Sequence, residues 1–207
     1  MKKFFVLLPL LLLCFFSCSQ KSKKYHPRSH SITENIKFKN WMNFHPEEEA
    51  FCAFFPTTPI TSSRDLPIPG NDGLSLPYKE FVCQTEDGVL FSICYTILPD
   101  DWLAYGSSLV LKQALKVIVN ERGKIEIVGK KITSFKSFPA MDYEHYTLSE
   151  TNQKETTGTL VLIGKTLYKI ELTYPPALHD QIQDEIIGFI EGFCPKTSGC
   201  TTEESLN

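Results

Sequence analysis

The chain has 207 residues, the size of one ordinary domain, with 42% hydrophobic residues, a formal net charge of −3 and seven cysteines. The near balance of 21 basic and 24 acidic residues argues against a nucleic-acid binder, and the apolar and aromatic content argues against a disordered chain. Charge is unevenly spread: residues 18–40 carry six basic side chains against Glu34 alone, whereas residues 41–207 have a net charge of −10, which disfavours DNA, RNA or an anionic membrane face as the direct partner of that body.

Met1-Lys2-Lys3 is a short positive start, and Phe4 to Phe16 is an almost unbroken apolar run. That is the length of a secretory signal core and too short to cross a bilayer comfortably, so residues 1–17 are read as a signal peptide. At its end Cys14-Phe15-Phe16-Ser17-Cys18-Ser19 resembles the bacterial lipobox, in which a small residue precedes a cysteine that is lipidated and becomes the new N-terminus. Phe15 stands where that pattern usually has Leu, and Phe16 where it has a smaller residue. The resemblance implies a diacylglycerol thioether and an amide-linked acyl chain such as palmitate on Cys18; more than one chain makes membrane anchoring stable. Ordinary secretion and an uncleaved anchor are the alternatives. Ser19 rather than Asp after the cysteine resembles the outer-membrane sorting pattern of Gram-negative lipoproteins. The expected location is therefore the cell envelope, at the outer membrane, with lipid rather than a helix as the anchor.

From Ser19 to Asn40 the sequence is polar, basic and poor in apolar residues, which makes residues 18–40 a tether that anionic head groups would attract. His26 and His30 have a metal-ligand spacing, but with Pro27 between them in a solvated segment they read as linker residues. The exported domain is placed at residues 41–195 and a polar tail at 196–207.

Within the domain, Phe51 to Phe55 followed by Pro56 reads as a short buried strand. Residues 57–76, with three Pro and two Gly, are expected to form a long loop and a contact surface. Tyr78 to Thr85 and Val89 to Leu98 flank Glu86-Asp87-Gly88, a strong hairpin signal. A helix is predicted over 107–122: Val110, Leu111, Ala114, Leu115, Val117 and Ile118 form one stripe, Lys112, Gln113, Lys116 and Asn120 face away, and Gly123 is the C-cap. Strands are predicted over 124–135, 141–149, 156–163 and 166–174, the last pair turning at Gly164-Lys165, as an antiparallel meander. Pro175-Pro176 then opens a helix to Phe193, with Ile182, Ile186, Phe189 and Ile190 at helical spacing.

Two amphipathic helices and six to seven strands imply an α+β fold with a central antiparallel sheet flanked by the helices. The order of elements, together with Phe51 to Pro59, Tyr78, Phe91 to Pro99, Gly129 to Ala140 with its Phe-Pro, Leu167 to Ile170 and Phe189 to Phe193, resembles the PsbP-like and DcrB-like α-β-α sandwich proteins. The resemblance spans about residues 50–194 and departs from that family's usual Phe-Pro-Gly-Lys-Pro by having Thr57-Thr58. It implies an accessory or binding module without a shared catalytic site.

No nucleophile elbow, phosphate loop, His-Glu-x-x-His or Cys-x-x-Cys occurs, so neither an enzyme nor a cofactor or metal site is expected. In the domain, His45 and His179 read as surface residues. The cluster Asp142, Tyr143, Glu144, His145 and Tyr146 lies on a strand whose alternation sends Asp142 and Glu144 to one face and Tyr143 and His145 to the other, so these groups do not converge by themselves. Export would allow disulfides, for which Cys83 with Cys94 and Cys194 with Cys200 are the candidates, Cys52 and Cys94 being otherwise small core residues. The functional readings are an accessory module that binds another envelope protein, or a small-ligand carrier with an apolar pocket between helix and sheet; a hydrolase lacks any residue set.

Overall fold

The computed structural model describes residues 40–68, 73, 75–121, 125–147 and 153–196. The signal segment, Cys18, the tether to residue 39, Gly123, Cys200 and the tail beyond Lys196 lie outside the described residues, as do the side chains of Ile118 and Asn120. The elements are β1 (Met42–Phe44), β2 (Phe51–Phe55), β3 (Ile60–Pro67), β4 (Ser75–Gln84), β5 (Leu90–Ile97), α1 (Asp100–Leu103), α2 (Ser107–Glu121), β6 (Ile125–Phe135), β7 (Phe138–Thr147), β8 (Lys154–Ile163), β9 (Thr166–Tyr174), a 3-10 turn (Pro176–Leu178), α3 (Gln183–Gly192) and β10 (Cys194–Pro195).

Seven strands form one antiparallel sheet in the order β3-β4-β5-β9-β8-β7-β6, and β1-β2-β10 form a small second sheet. The β6 to β9 meander is as expected; β9 then inserts beside β5, which puts the largely buried β9 at the centre of the sheet. Gly88 (φ +86°) and Gly164 (φ +58°) take the left-handed turns that the hairpins between β4 and β5 and between β8 and β9 require.

Strand alternation divides the interior into two cores. On one face Phe81, Phe91, Ile93, Ile170 and Leu172 pack with Phe51 and Phe55 of β2 and with Ile186, Phe189 and Ile190 of α3. Phe189 meets Phe55 and Phe91 edge-on, each at 5.2 Å between ring centroids, and Trp41 meets Phe91 at 5.3 Å. On the other face Leu111 and Leu115 of α2 pack on Met141, Leu160, Leu162 and Leu167. The molecule is thus the α+β sandwich expected, with the small sheet sharing a face with α3.

Three expectations are corrected. The long loop at 57–76 contains β3, an edge strand paired with β4 from Ile60↔Val82 to Pro67↔Ser75. Seven of its eight residues are exposed, all but Leu66, so no alternation marks it, and the edge position tolerates Pro67. The final helix is a Pro-led 3-10 turn followed by α3 only from Gln183, because the chain leaves helical geometry at Ile182 (φ −106°, ψ 16°). β1 and β10 went unpredicted, being three and two residues long.

On the α2 face one cross-sheet row is polar. Tyr143 of β7, Gly158 of β8 and Glu171 of β9 are in register, and the Tyr143 hydroxyl donates to Glu171 Oε2 at 2.7 Å over the glycine between them. A Cβ on Gly158 would lie 2.7 Å from the Tyr143 hydroxyl oxygen and 2.8 Å from the Ile170 carbonyl oxygen, closer than packing allows. Gly158→Ala is expected to lower unfolding free energy by about 2–3 kcal/mol through overpacking and loss of the buried hydrogen bond. Urea denaturation checks this, and a cost under about 0.5 kcal/mol, the range of a neutral surface change, would contradict it.

Candidate functional site

The polar row continues into a buried charge pair. Lys169 and Glu171, two residues apart on β9 and therefore on one face, are 3% and 1% exposed, and Lys169 Nζ donates to Glu171 Oε1 at 2.6 Å. Next to them on β5, Cys94 is directly opposite Lys169. Its sulfur lies 3.0 Å from Ser92 Oγ and donates to Glu80 Oε1 of β4 at 3.2 Å. Tyr78 closes the group, its ring 5.9 Å from the Lys169 ammonium and 5.0 Å from the Arg64 guanidinium.

Above this ridge is a cleft of about 280 Å³ between α1, α2 and the β3-β4-β5-β9 half of the sheet. Leu66, Leu76, Leu98, Trp102, Val110 and Leu167 supply its apolar wall, while Tyr78, Cys94, Thr96 and Lys169 bring the ridge to its floor. Gln113 and the exposed Tyr105 and Leu109 stand at its rim. The Thr96 hydroxyl is buried and has no hydrogen-bond partner among the described residues. A pocket of carbon with a few convergent polar groups is the usual form of a small-molecule site.

Burial dominates the electrostatics of the floor. Burial pushes the Cys94 thiol up to about 11, more than the adjacent Lys169 ammonium lowers it, so the sulfur stays protonated at neutral pH. Burial likewise raises the Tyr78 phenol, assisted by Cys94 and the carboxylates of Glu171 and Glu80.

Sequence-predicted residues are distributed as follows. Cys83 and Cys94 do not pair: Cys83 is opposite Phe91 and points into the α3-side core, whereas Cys94, three residues beyond Phe91, points to the α2 side. Both are free thiols. His145 is fully buried, its ring stacked on Tyr143 at 6.1 Å. Asp142 accepts from the Thr159 hydroxyl at 2.7 Å on the opposite face. His45 is exposed, as expected, but His179 is half-buried, with Nδ1 2.7 Å from Oε1 of the buried Glu155. Glu144, Glu155 and His179 bring ligand atoms within 4.8 Å of one another and are the described residues that could hold a metal ion. The geometry already accounts for Glu155 and His179 as an ion pair, when the imidazole is protonated, that fastens the 3-10 turn to β8.

Lys169, Glu171, Glu80 and Thr96 were missed as site residues. The available signal was Lys169 and Glu171 two apart within the otherwise apolar strand Thr166–Tyr174, which forces both charges onto one buried face if the strand is central.

No family model and no curated protein matches the chain. Among solved structures, the cyanobacterial PsbP of Synechocystis aligns with 80% of this chain and 98% of its own, at TM-score 0.54 and 12% identity. LpqN of Mycobacterium tuberculosis, described as involved in cell envelope biogenesis, aligns with 68% of this chain and 85% of its own, at TM-score 0.38 and 11% identity. The first likeness is one of fold.

The buried thiol yields a pH prediction. An unfolded Cys94 loses its proton near 9 and the folded one near 11, so between these values the unfolded state binds fewer protons and stability falls as pH rises. Urea midpoints measured from pH 8 to 11 should decline more steeply for the wild type than for Cys94→Ala; parallel curves would contradict this assignment. Through its seven-stranded antiparallel sheet and flanking helices, the chain has a PsbP-like fold.

Proposed function

We propose that the chain is a lipid-anchored, non-catalytic binding module of the cell envelope whose cleft takes a small amphipathic molecule, its apolar body against α2 and its hydrogen-bonding head at Thr96 and Lys169. One observation carries this reading: the cleft is walled by carbon yet floored by a buried hydroxyl that has no hydrogen-bond partner among the described residues, beside a buried ammonium. A hydroxyl left without a partner costs about 1–3 kcal/mol, which a ligand head would recover. The cleft has roughly twice the volume of an engineered apolar cavity known to hold benzene, so the occupant is the size of a medium alkyl chain or a fused bicycle. The Lys169 ammonium has three N–H donors, of which Glu171 Oε1 takes one, so it can also donate to a carboxylate or carbonyl head. The neutral Cys94 thiol supports a non-catalytic role.

The small-ligand reading is favoured over a purely packed docking module because of this cleft. Envelope attachment rests on Lys2-Lys3, the apolar run Phe4 to Phe16 and Cys18. The outer membrane is proposed from Ser19. An accessory role beside another envelope protein is compatible with a ligand held in the cleft. No helix among the described residues is long and apolar enough to cross a membrane.

Decanoate is a suitable probe, with Trp102 in the cleft wall as a fluorescent reporter. Wild-type protein should bind it saturably, Ala114→Phe should lose binding by filling the cleft, and Thr96→Val should bind roughly tenfold more weakly while unfolding at higher urea. That opposition between affinity and stability is the signature of a polar group kept for a ligand. Undiminished binding by Ala114→Phe would place the probe elsewhere and overturn the assignment. For the anchor, labelled palmitate should enter the wild type and not Cys18→Ser; equal labelling of both would exclude Cys18 as the lipidated residue.

A further inference from the structure

β10 is only two residues long, yet its first residue, Cys194, is directly opposite Cys52 of β2. β2 alternates with Phe51, Ala53 and Phe55 buried in the α3-side core, which turns Cys52 to the outer side of the small sheet. Directly opposed residues of an antiparallel pair project to the same side, with Cα atoms about 4.5 or 5.5 Å apart, and both spacings lie within the span a disulfide bridges. The Cys52 thiol already contacts the partner residue, donating to the Cys194 carbonyl oxygen at 3.5 Å. Both residues are half-buried free thiols, reachable from solvent, whereas Cys83 and Cys94 are enclosed on opposite faces of the large sheet. Register is held beyond the pair by the Lys196 amide donating to the Ala50 carbonyl at 2.8 Å.

We propose that Cys52 and Cys194 form a disulfide across β2 and β10 when the protein meets a disulfide oxidant, in place of the Cys194–Cys200 pairing that sequence proximity favours. One protein thiolate attacks a sulfur of the external disulfide, joining to it and releasing one external thiol. The other thiolate then attacks the protein-side sulfur of that mixed disulfide and releases the second. Two protein S–H bonds are lost, one S–S bond forms, and the oxidant takes up two electrons and two protons. The link closes a separation of 142 residues and fastens the chain leaving α3 to the strand that opens the domain. Such a long loop is where a cross-link restricts the unfolded chain most.

The test uses the purified full chain and glutathione disulfide as oxidant. After exchange, free thiols are blocked with N-ethylmaleimide, the protein is digested with trypsin without reduction, and linked peptides are identified by mass. Lys196 lies between Cys194 and Cys200, so trypsin separates the two and each pairing gives a different product. The expected result is a Cys52 peptide joined to a Cys194 peptide, a loss of about 2 Da for the pair. That link should persist in Cys200→Ser, and reduction should lower the thermal midpoint. Joining of Cys194 to Cys200, or both Cys52 and Cys194 recovered as blocked free thiols, would overturn the proposal.

Discussion

The ion pair between Lys169 and Glu171 constrains more of this structure than any apolar contact does. Both ends are nearly fully buried on β9, the strand at the middle of the sheet. Desolvating two charges costs several kcal/mol each, and well-packed hydrophobic residues often replace such a pair without loss. Stability alone therefore gives no reason for the pair. Once present, it dictates its surroundings. Glu171 takes the Tyr143 hydroxyl from two strands away, which requires glycine at 158. Lys169 sits against Cys94 and over Tyr78, and Glu80 accepts from the thiol. A connected polar ridge thus crosses β4, β5, β9 and β7 on a face that the rest of the fold treats as core.

The cleft follows from geometry. Seven strands about 4.8 Å apart make a sheet roughly 30 Å across, whereas a helix with its side chains is about 10–12 Å wide. The opposite face has α3 and the small sheet to cover it. The α2 face has one long helix, whose buried stripe packs with residues of β7 and β8, and the four-residue α1, which adds Trp102 and Leu103 to the same cluster. The uncovered part lies over β3, β4, β5 and β9, where the polar ridge reaches the surface of the sheet. The proposed binding site rests on this coincidence of the uncovered area with the buried charges.

The sequence displayed what periodicity and turn chemistry encode. The β4–β5 hairpin at Gly88, the α2 stripe, the meander and the β8–β9 turn at Gly164 all stand where their patterns placed them. β3 escaped because an edge strand with both sides in solvent has no period to read, and β10 because two residues carry none. The side-chain chemistry was less legible for a different reason. Lys169, Glu80, Cys94 and Thr96 come from three strands, and their convergence depends on β9 inserting beside β5, a register no local pattern contains. Cys83 and Cys94 are close in sequence yet separated by the thickness of the sheet, whereas Cys52 and Cys194 meet across the whole domain.

Occupancy of the cleft is the most direct measure of the account. Native mass spectrometry of the chain as isolated from its source, set against the denatured intact mass, reads it without choosing a ligand beforehand. The account predicts a stoichiometric extra mass that is lost on denaturation, belongs to a molecule with an apolar body and a carboxylate or carbonyl head, and is missing from Ala114→Phe. A wild-type chain that flies bare and stays bare after incubation with decanoate would contradict it.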